Sequence, residues 1–266
     1  MLATLGGYSV EGGFDRAHEP ATCYSPTIAL GRHVGPGGAD NLWVDYEKVL
    51  DLAAGLGLDG VRLSIEWARV EPRQGCVDSA ALERYLEVAR HAQSLGLLVT
   101  AAVVDAAWPS WLGQEAWLLP WVAPHVTAHA RRVIEHLGDS VNGVIAFCDP
   151  EALVVGGYIE GSAPPWRRGA VDDAASARAQ IGEVSRALRE DPLVGAKMRG
   201  DTRVISLDQS SEMILAQRAQ AGDCEEIYVR SLVKGAGPTC APAGLLAKRA
   251  GQWSVSASAE LLGALL

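Results

Sequence analysis

The sequence predicts an α/β fold with a mostly parallel sheet, and three observations carry that prediction. Short apolar runs alternate with longer amphipathic segments along the chain, which is the pattern of successive βαβ units. The length of 266 residues suits one α/β barrel, which takes roughly 250 residues. Two helical segments close on Leu-Gly, at Gly57 and Gly96, where glycine accommodates the left-handed residue that ends many helices.

The strands are read from compact runs of aliphatic residues: Val61 to Trp67, Leu97 to Val104, Gly143 to Phe147, Arg203 to Leu207 and Ile227 to Leu232. Helical periodicity lies between and after them, over Leu42 to Leu56, Ser79 to Leu95, Pro124 to Leu137, Asp172 to Arg189, Ser210 to Ala221 and Ala243 to Leu266. The glycine-rich stretch from Gly31 to Ala39 is not followed by Lys-Ser/Thr, so it is not a phosphate loop. With neither repeat nor low-complexity linker, residues 1–266 read as one domain.

Composition limits the partners. Hydrophobic residues make up 48% of the chain and charged ones 21%, enough apolar material for a large core, and the net charge is -9. That sign argues against nucleic acid and against an anionic membrane. No run approaches the roughly 18 to 20 apolar residues that span a bilayer, and Met1 to Gly7 lacks the basic start of a signal peptide. The five cysteines are scattered without a Cys-x-x-Cys pair, and the six histidines form no ligand spacing. Reduced thiols in a cytoplasmic protein with neither metal nor cofactor are therefore expected.

Five segments in order resemble the family 1 glycoside hydrolases, the β-glucosidase family. Tyr8-Ser9-Val10-Glu11-Gly12-Gly13 is similar to the family's Y-Q-I-E-G-A. Val61 to Pro72 (V-R-L-S-I-E-W-A-R-V-E-P) resembles Y-R-F-S-I-S-W-P-R-I-x-P. Val99-Thr100 with Trp108-Pro109-Ser110-Trp111-Leu112 is similar to the third-strand V-T-L-x-H-W and its later P-x-W-L. Ile145 to Pro150 (I-A-F-C-D-P) falls on I-T-F-N-E-P, and Gly157 to Pro165 falls on the G-Y-x-x-G-x-x-A-P-G that comes after it. Ala247 to Trp253 is a weaker likeness to the family's last helix. The resemblance implies a (β/α) TIM-type barrel acting on glycosides. At roughly 30 residues per βα unit, the part beyond the fourth helix holds two more units. The expectation is a shortened or incomplete barrel of about six to eight parallel strands with outer helices. Its gap would be covered by the C-terminal segment or by a second copy of the chain in a homodimer.

The departures from the family bear on chemistry. A retaining glycosidase works with two carboxyl groups about 5 Å apart. The family's acid/base glutamate is Asp149 here, one methylene shorter, and its preceding asparagine is Cys148. The glutamine that grips the sugar is Ser9, and the third-strand histidine is replaced by Val103. The T-E-N-G motif that carries the nucleophile does not occur, and Asp208, at the end of a predicted strand, is the best substitute. Arg62 falls on the arginine that pairs with the nucleophile. Glu66 replaces a serine on the same strand face, and is either a new acid/base group or the partner of Arg62. Asp105 ends the third strand, with Trp108 near it as a stacking platform or as core.

Asp149, Glu66 and Asp208 are thus the expected catalytic residues, and Arg62, Ser9, Cys148, Asp105 and Trp108 the expected substrate-binding ones. The favoured function is a repurposed enzyme that uses these carboxylates for acid/base chemistry on a small metabolite, sugar-like or derived from a glycoside. Cyclisation, elimination, isomerisation and non-classical hydrolysis all fit. The alternatives are a non-catalytic sugar-binding or small-molecule-binding protein and a residual β-glycosidase.

Overall fold

The computed structural model of the chain describes residues 2–14 and 19–198, together with strands at 200–207, 212–221, 224–230, 244–249 and 252–255. The elements run β1 (Leu2–Leu5), α1 (Gly7–Val10), α2 (Ser25–Ala29), α3 (Leu42–Gly55), β2 (Gly60–Ser64), α4 (Trp67–Val70), α5 (Ser79–Ser94), β3 (Leu98–Val104), α6 (Val122–Leu137), β4 (Gly143–Phe147), α7 (Pro150–Val154), α8 (Val171–Glu190) and α9 (Pro192–Lys197). Strands β1 to β4 form a parallel sheet in chain order. Its register aligns Thr4 with Arg62 and Arg62 with Thr100.

The helices start and stop where local chemistry directs. Asp78 caps α5 by accepting from the N–H of Ala80 at 2.9 Å and of Ala81 at 3.2 Å, and Asp191 caps α9 in the same way. Gly57 and Gly96 have φ of +72° and +79°, the left-handed geometry read from their Leu-Gly sequences.

The main core lies between the outer face of the sheet and the helices, filled by Trp67, Tyr85, Trp108, Trp117 and Phe147. Ala102 and Ile145 form a separate small cluster, with Cys148 packed against it. β2, β3 and β4 are buried almost throughout, which is why they read as continuous apolar runs. Among the described residues no helix is long and apolar enough to cross a membrane.

The fold class is that of a (β/α) TIM-type barrel, and among the described residues its parallel sheet has four strands. Met198 still bridges Val144 of β4 in parallel. The chain then enters an antiparallel meander, β5 (Gly200–Leu207), β6 (Glu212–Ala221), β7 (Cys224–Arg230), β8 (Gly244–Arg249) and β9 (Gln252–Val255), paired in chain order. The strands expected near Arg203 and Ile227 exist as β5 and β7, but they are antiparallel. The helix expected over Ser210 to Ala221 is β6, and β8 and β9 occupy the described part of the one expected from Ala243. Glu212 to Ala221 is made of good helix formers, yet pairing on both edges overrides so weak a preference.

His129 of α6 is enclosed completely and lies flat on the Trp67 indole, ring centroids 5.1 Å apart. Burial pulls its pKa down from 6.5 to about 3, opposed by the backbone of Ile65 and Val103. A base whose folded pKa is depressed contributes stability that is complete above its unfolded pKa. That contribution is lost as pH falls from about 6.5 towards 3, with a limiting slope of about 1.4 kcal/mol per pH unit. Thermal midpoints from pH 7.5 to 4.5 should therefore fall more steeply for the native chain than for His129→Phe, which keeps the stack. Parallel curves would remove this residue from the acid response.

Candidate active site

β3 and β4 end side by side, with Val104 paired to Phe147 and the Cys148 N–H donating to the Val104 carbonyl at 2.8 Å. Asp105 therefore emerges next to Cys148 and Asp149, at the C-terminal ends of the strands where barrel sites are built. Two donors fix the Asp105 carboxylate: the Ser64 hydroxyl at 2.8 Å and the Gly7 N–H at 3.2 Å, both to Oδ2. Asp149 begins α7, its Oδ1 accepting from the Ala152 N–H at 3.0 Å.

Asp105 and Asp149 line one cavity of about 240 Å³, together with Tyr24, Gly156, Glu160 and Ser162. At about 30 Å³ per water it has the room of about eight waters, below the range of drug-sized pockets. It suits one small ring. Tyr24 stacks on Tyr8, centroids 4.4 Å apart, and burial first, then the nearby Cys23, raises the pKa of its hydroxyl.

The other expected residues divide. Arg62 is buried on β2, its Nη1 3.5 Å from the Thr4 hydroxyl. Its charge is felt at Cys148, whose thiol is pushed up to about 12 by burial first, then by Asp105, with Arg62 opposing. Cys148 is therefore a neutral thiol at physiological pH and not a nucleophile. Ser9 is exposed and converges with Asp105 on Gly6. A methyl group built there would lie 2.5 Å from Ser9 Oγ and 2.9 Å from Asp105 Oδ2, so a larger residue at that point would displace one of these side chains.

Glu66 lies at the start of α4. It makes no ion pair with Arg62 and does not line the cavity. Its carboxyl caps α4 through the Ala68 N–H at 3.3 Å and lies against Gly7. Burial, then the charge of Glu11, raises its pKa well above the usual carboxylate range. Trp108 is core: it is fully buried, donates from Nε1 to the Gly113 carbonyl at 2.7 Å and meets Trp117 edge-on. Asp208 lies outside the described residues. Among the cavity residues that the sequence pattern did not single out are Tyr24, Glu160 and Ser162. Glu160 sits inside the Gly157-to-Pro165 segment, where only the glycine and proline positions carried a signal.

Beside the cavity, Glu11 binds Arg69 Nε at 2.6 Å and accepts from the Tyr85 hydroxyl at 2.7 Å. Arg69 also donates to the Gly12 carbonyl and is held between Phe14 and Trp43, 4.2 and 4.1 Å from the ring centroids. This assembly ties α1 to α4 and so holds the Gly7 N–H against Asp105.

Parallel βα units with carboxylates at the C-terminal strand ends are the arrangement on which α/β barrels build their sites. Residues 7–251 match Glycosyl hydrolase family 1, and the chain belongs to that family. Beta-glucosidase 47 of Arabidopsis thaliana is 30% identical over 166 residues, which are 61% of this chain and 31% of the relative. A beta-glucosidase of an Agrobacterium strain is 25% identical over 208 residues, 75% of this chain and 45% of the relative. The beta-glycosidase from Pyrococcus horikoshii superposes with a TM-score of 0.65 at 21% identity, covering 74% of this chain and 45% of that one. That last likeness is one of fold. The chain spans less than half the length of each of these relatives.

Proposed function

We propose that the chain is a repurposed family 1 barrel whose cavity takes a small sugar-like or glycoside-derived molecule and carries out acid/base chemistry on it without a covalent sugar intermediate. The observation that carries this reading is the pair Asp105 and Asp149, delivered from adjacent strand ends to one cavity. Asp149 supplies or removes the proton. Asp105, oriented by Ser64 and Gly7, receives a substrate hydroxyl or the charge that develops opposite it. Asp149, one methylene shorter than the glutamate of the resembled motif, supports a reading other than the retaining mechanism.

A sugar-binding protein without chemistry is the second reading, favoured by one observation: Asp149 already serves as the N-cap of α7.

The test pairs an aryl β-glucoside assay with a 2-fluoro sugar and intact-protein mass spectrometry. The expected result is turnover at least about a hundredfold below the median enzyme rate of about 10 s⁻¹ and no covalent adduct. Family-like turnover, or a mass gain of one fluorosugar, would overturn the proposal. A thermal-shift panel of monosaccharides, glycosides and iminosugars separates an occupied cavity from an idle one.

A further inference from the structure

The sequence offered one carboxylate at the fourth strand end, Asp149. The structure brings another to the same cavity from eleven positions further along the chain, Glu160. A π-helical turn, Val155–Ile159, comes after α7 and ends at Glu160. Such turns insert a residue into a helix and re-aim the chain beyond them. That next segment is pinned at close range. Ser162 and Ala163 donate to the Gly156 carbonyl at 2.9 and 3.1 Å, and Arg167 donates to the Gly157 carbonyl at 2.8 Å. Glu160 itself bridges Arg168 in antiparallel fashion.

This packing requires glycine at position 157 and leaves little room beside Gly156. A methyl group at Gly157 would lie 2.6 Å from the Pro164 carbonyl oxygen, and one at Gly156 would lie 3.2 Å from the Ala163 Cβ. Gly161 turns the chain with φ +67°. The strap from residue 160 to 168 is therefore a fixed part of the cavity wall.

The side chain has no structural employment that would explain its place. Other carboxylates of the fold are committed to cations: Glu11 to Arg69, Glu71 to Arg132, Glu151 to Arg178 and Asp191 to Arg131. Among the described residues Glu160 has no ion pair. The nearby Arg167 is taken by Glu115 and Asp173. One oxygen of Glu160, Oε2, accepts from the Ser162 hydroxyl at 3.0 Å. That bond orients the carboxylate and leaves Oε1 able to accept from a ligand.

We infer that Glu160 is a third working carboxylate of the cavity, beside Asp105 and Asp149, accepting from the hydroxyl or ring-nitrogen hydrogens of a small polyhydroxylated ring while Asp149 acts on the same molecule. The inference rests on the proposed sugar site and names the residue that completes it. A carboxylate that accepts from a neutral or cationic donor in a confined site makes one of the stronger hydrogen bonds available, so its removal is felt in affinity.

The experiment is calorimetric titration of the full chain with a monocyclic iminosugar, 1-deoxynojirimycin, comparing native protein with Glu160→Gln, Asp149→Asn and Ser162→Ala. Native binding is expected, with Kd weakened about tenfold by Glu160→Gln and about threefold by Ser162→Ala, and thermal midpoints unchanged without ligand. Glu160→Asp should recover part of the loss, which a merely structural role would not do. If Asp149→Asn weakens binding and Glu160→Gln stays within twofold of native, the inference falls while the sugar-site reading stands. If the native chain does not bind the iminosugar, the reading falls and takes the inference with it. Should Glu160→Gln unfold, Ser162→Ala carries the decision: native-like affinity in that variant overturns the inference.

Discussion

Arg69→Met is expected to destabilise the fold by about 3–5 kcal/mol, the magnitude of breaking one side of a buried ion pair. The pair is enclosed, with Arg69 7% and Glu11 1% exposed. Removing the guanidinium leaves Glu11 facing Tyr85 alone and deprives the Gly12 carbonyl of its donor. Methionine restores most of the volume between Phe14 and Trp43, so the loss measures charge and hydrogen bonding more than packing.

The pH dependence gives a second check on that variant. Burial already raises the Glu11 pKa, and Arg69 is the main influence opposing the rise. A carboxyl with a raised folded pKa contributes stability below its unfolded value and loses it as pH rises through the folded one. The Arg69→Met penalty should therefore grow between pH 5 and pH 8, and adding Glu11→Gln should recover part of it at the upper end. Urea denaturation reads both effects. A loss under about 1 kcal/mol at pH 8 would show that the pair is replaceable.

The range of the deciding interactions separates the elements legible in the sequence from those that were not. β4 agrees with its run from Gly143 to Phe147, and α3, α5, α6 and α8 agree with their periodic segments to within two residues at either end. Those elements are buried on definite faces, so burial wrote their periods into the sequence. β1 went unread because four residues are too few to show a period. The meander from Gly200 went wrong for a different reason. Its strands are amphipathic by composition, and only their cross-strand neighbours decide between helix and ladder.

The site was legible to the same depth. Asp149 was expected from its likeness to the N-E-P position and Asp105 from its place at the end of the third strand, and their meeting results from the β3–β4 pairing. Strand alternation put Glu66 on the face of Arg62, but β2 ends at Ser64. Past that point the alternation no longer governs direction, and Glu66 turns behind Gly7 to cap α4. Trp108 could not be assigned from type alone, because a stacking tryptophan and a core tryptophan look identical until Gly113 and Trp117 are seen around it.

Asp149 offers the sharpest separation of stability from chemistry. Its Oδ1 caps α7 at the Ala152 N–H, and asparagine caps a helix about as well as aspartate. Asp149→Asn should therefore keep the thermal midpoint within about 1 °C, since a change of 1 kcal/mol would already move a domain of this size by about 2–4 °C. Asparagine cannot exchange a proton. Removing a general acid or base lowers turnover by about a hundredfold to ten-thousandfold, and that loss is expected with any compound the thermal-shift panel selects and the native chain converts. Asp149→Ala should show the same kinetic loss together with about 1 kcal/mol of lost stability from the missing cap. Chemistry through Asp149 thus predicts two variants equally inactive but unequally stable. If Asp149 served only as a cap, the order would reverse: Asn would turn over like the native chain, and only Ala would fall, in proportion to its unfolding. Steady-state rates and thermal midpoints on the three proteins separate these outcomes, and full turnover by Asp149→Asn would remove the acid/base role from this residue.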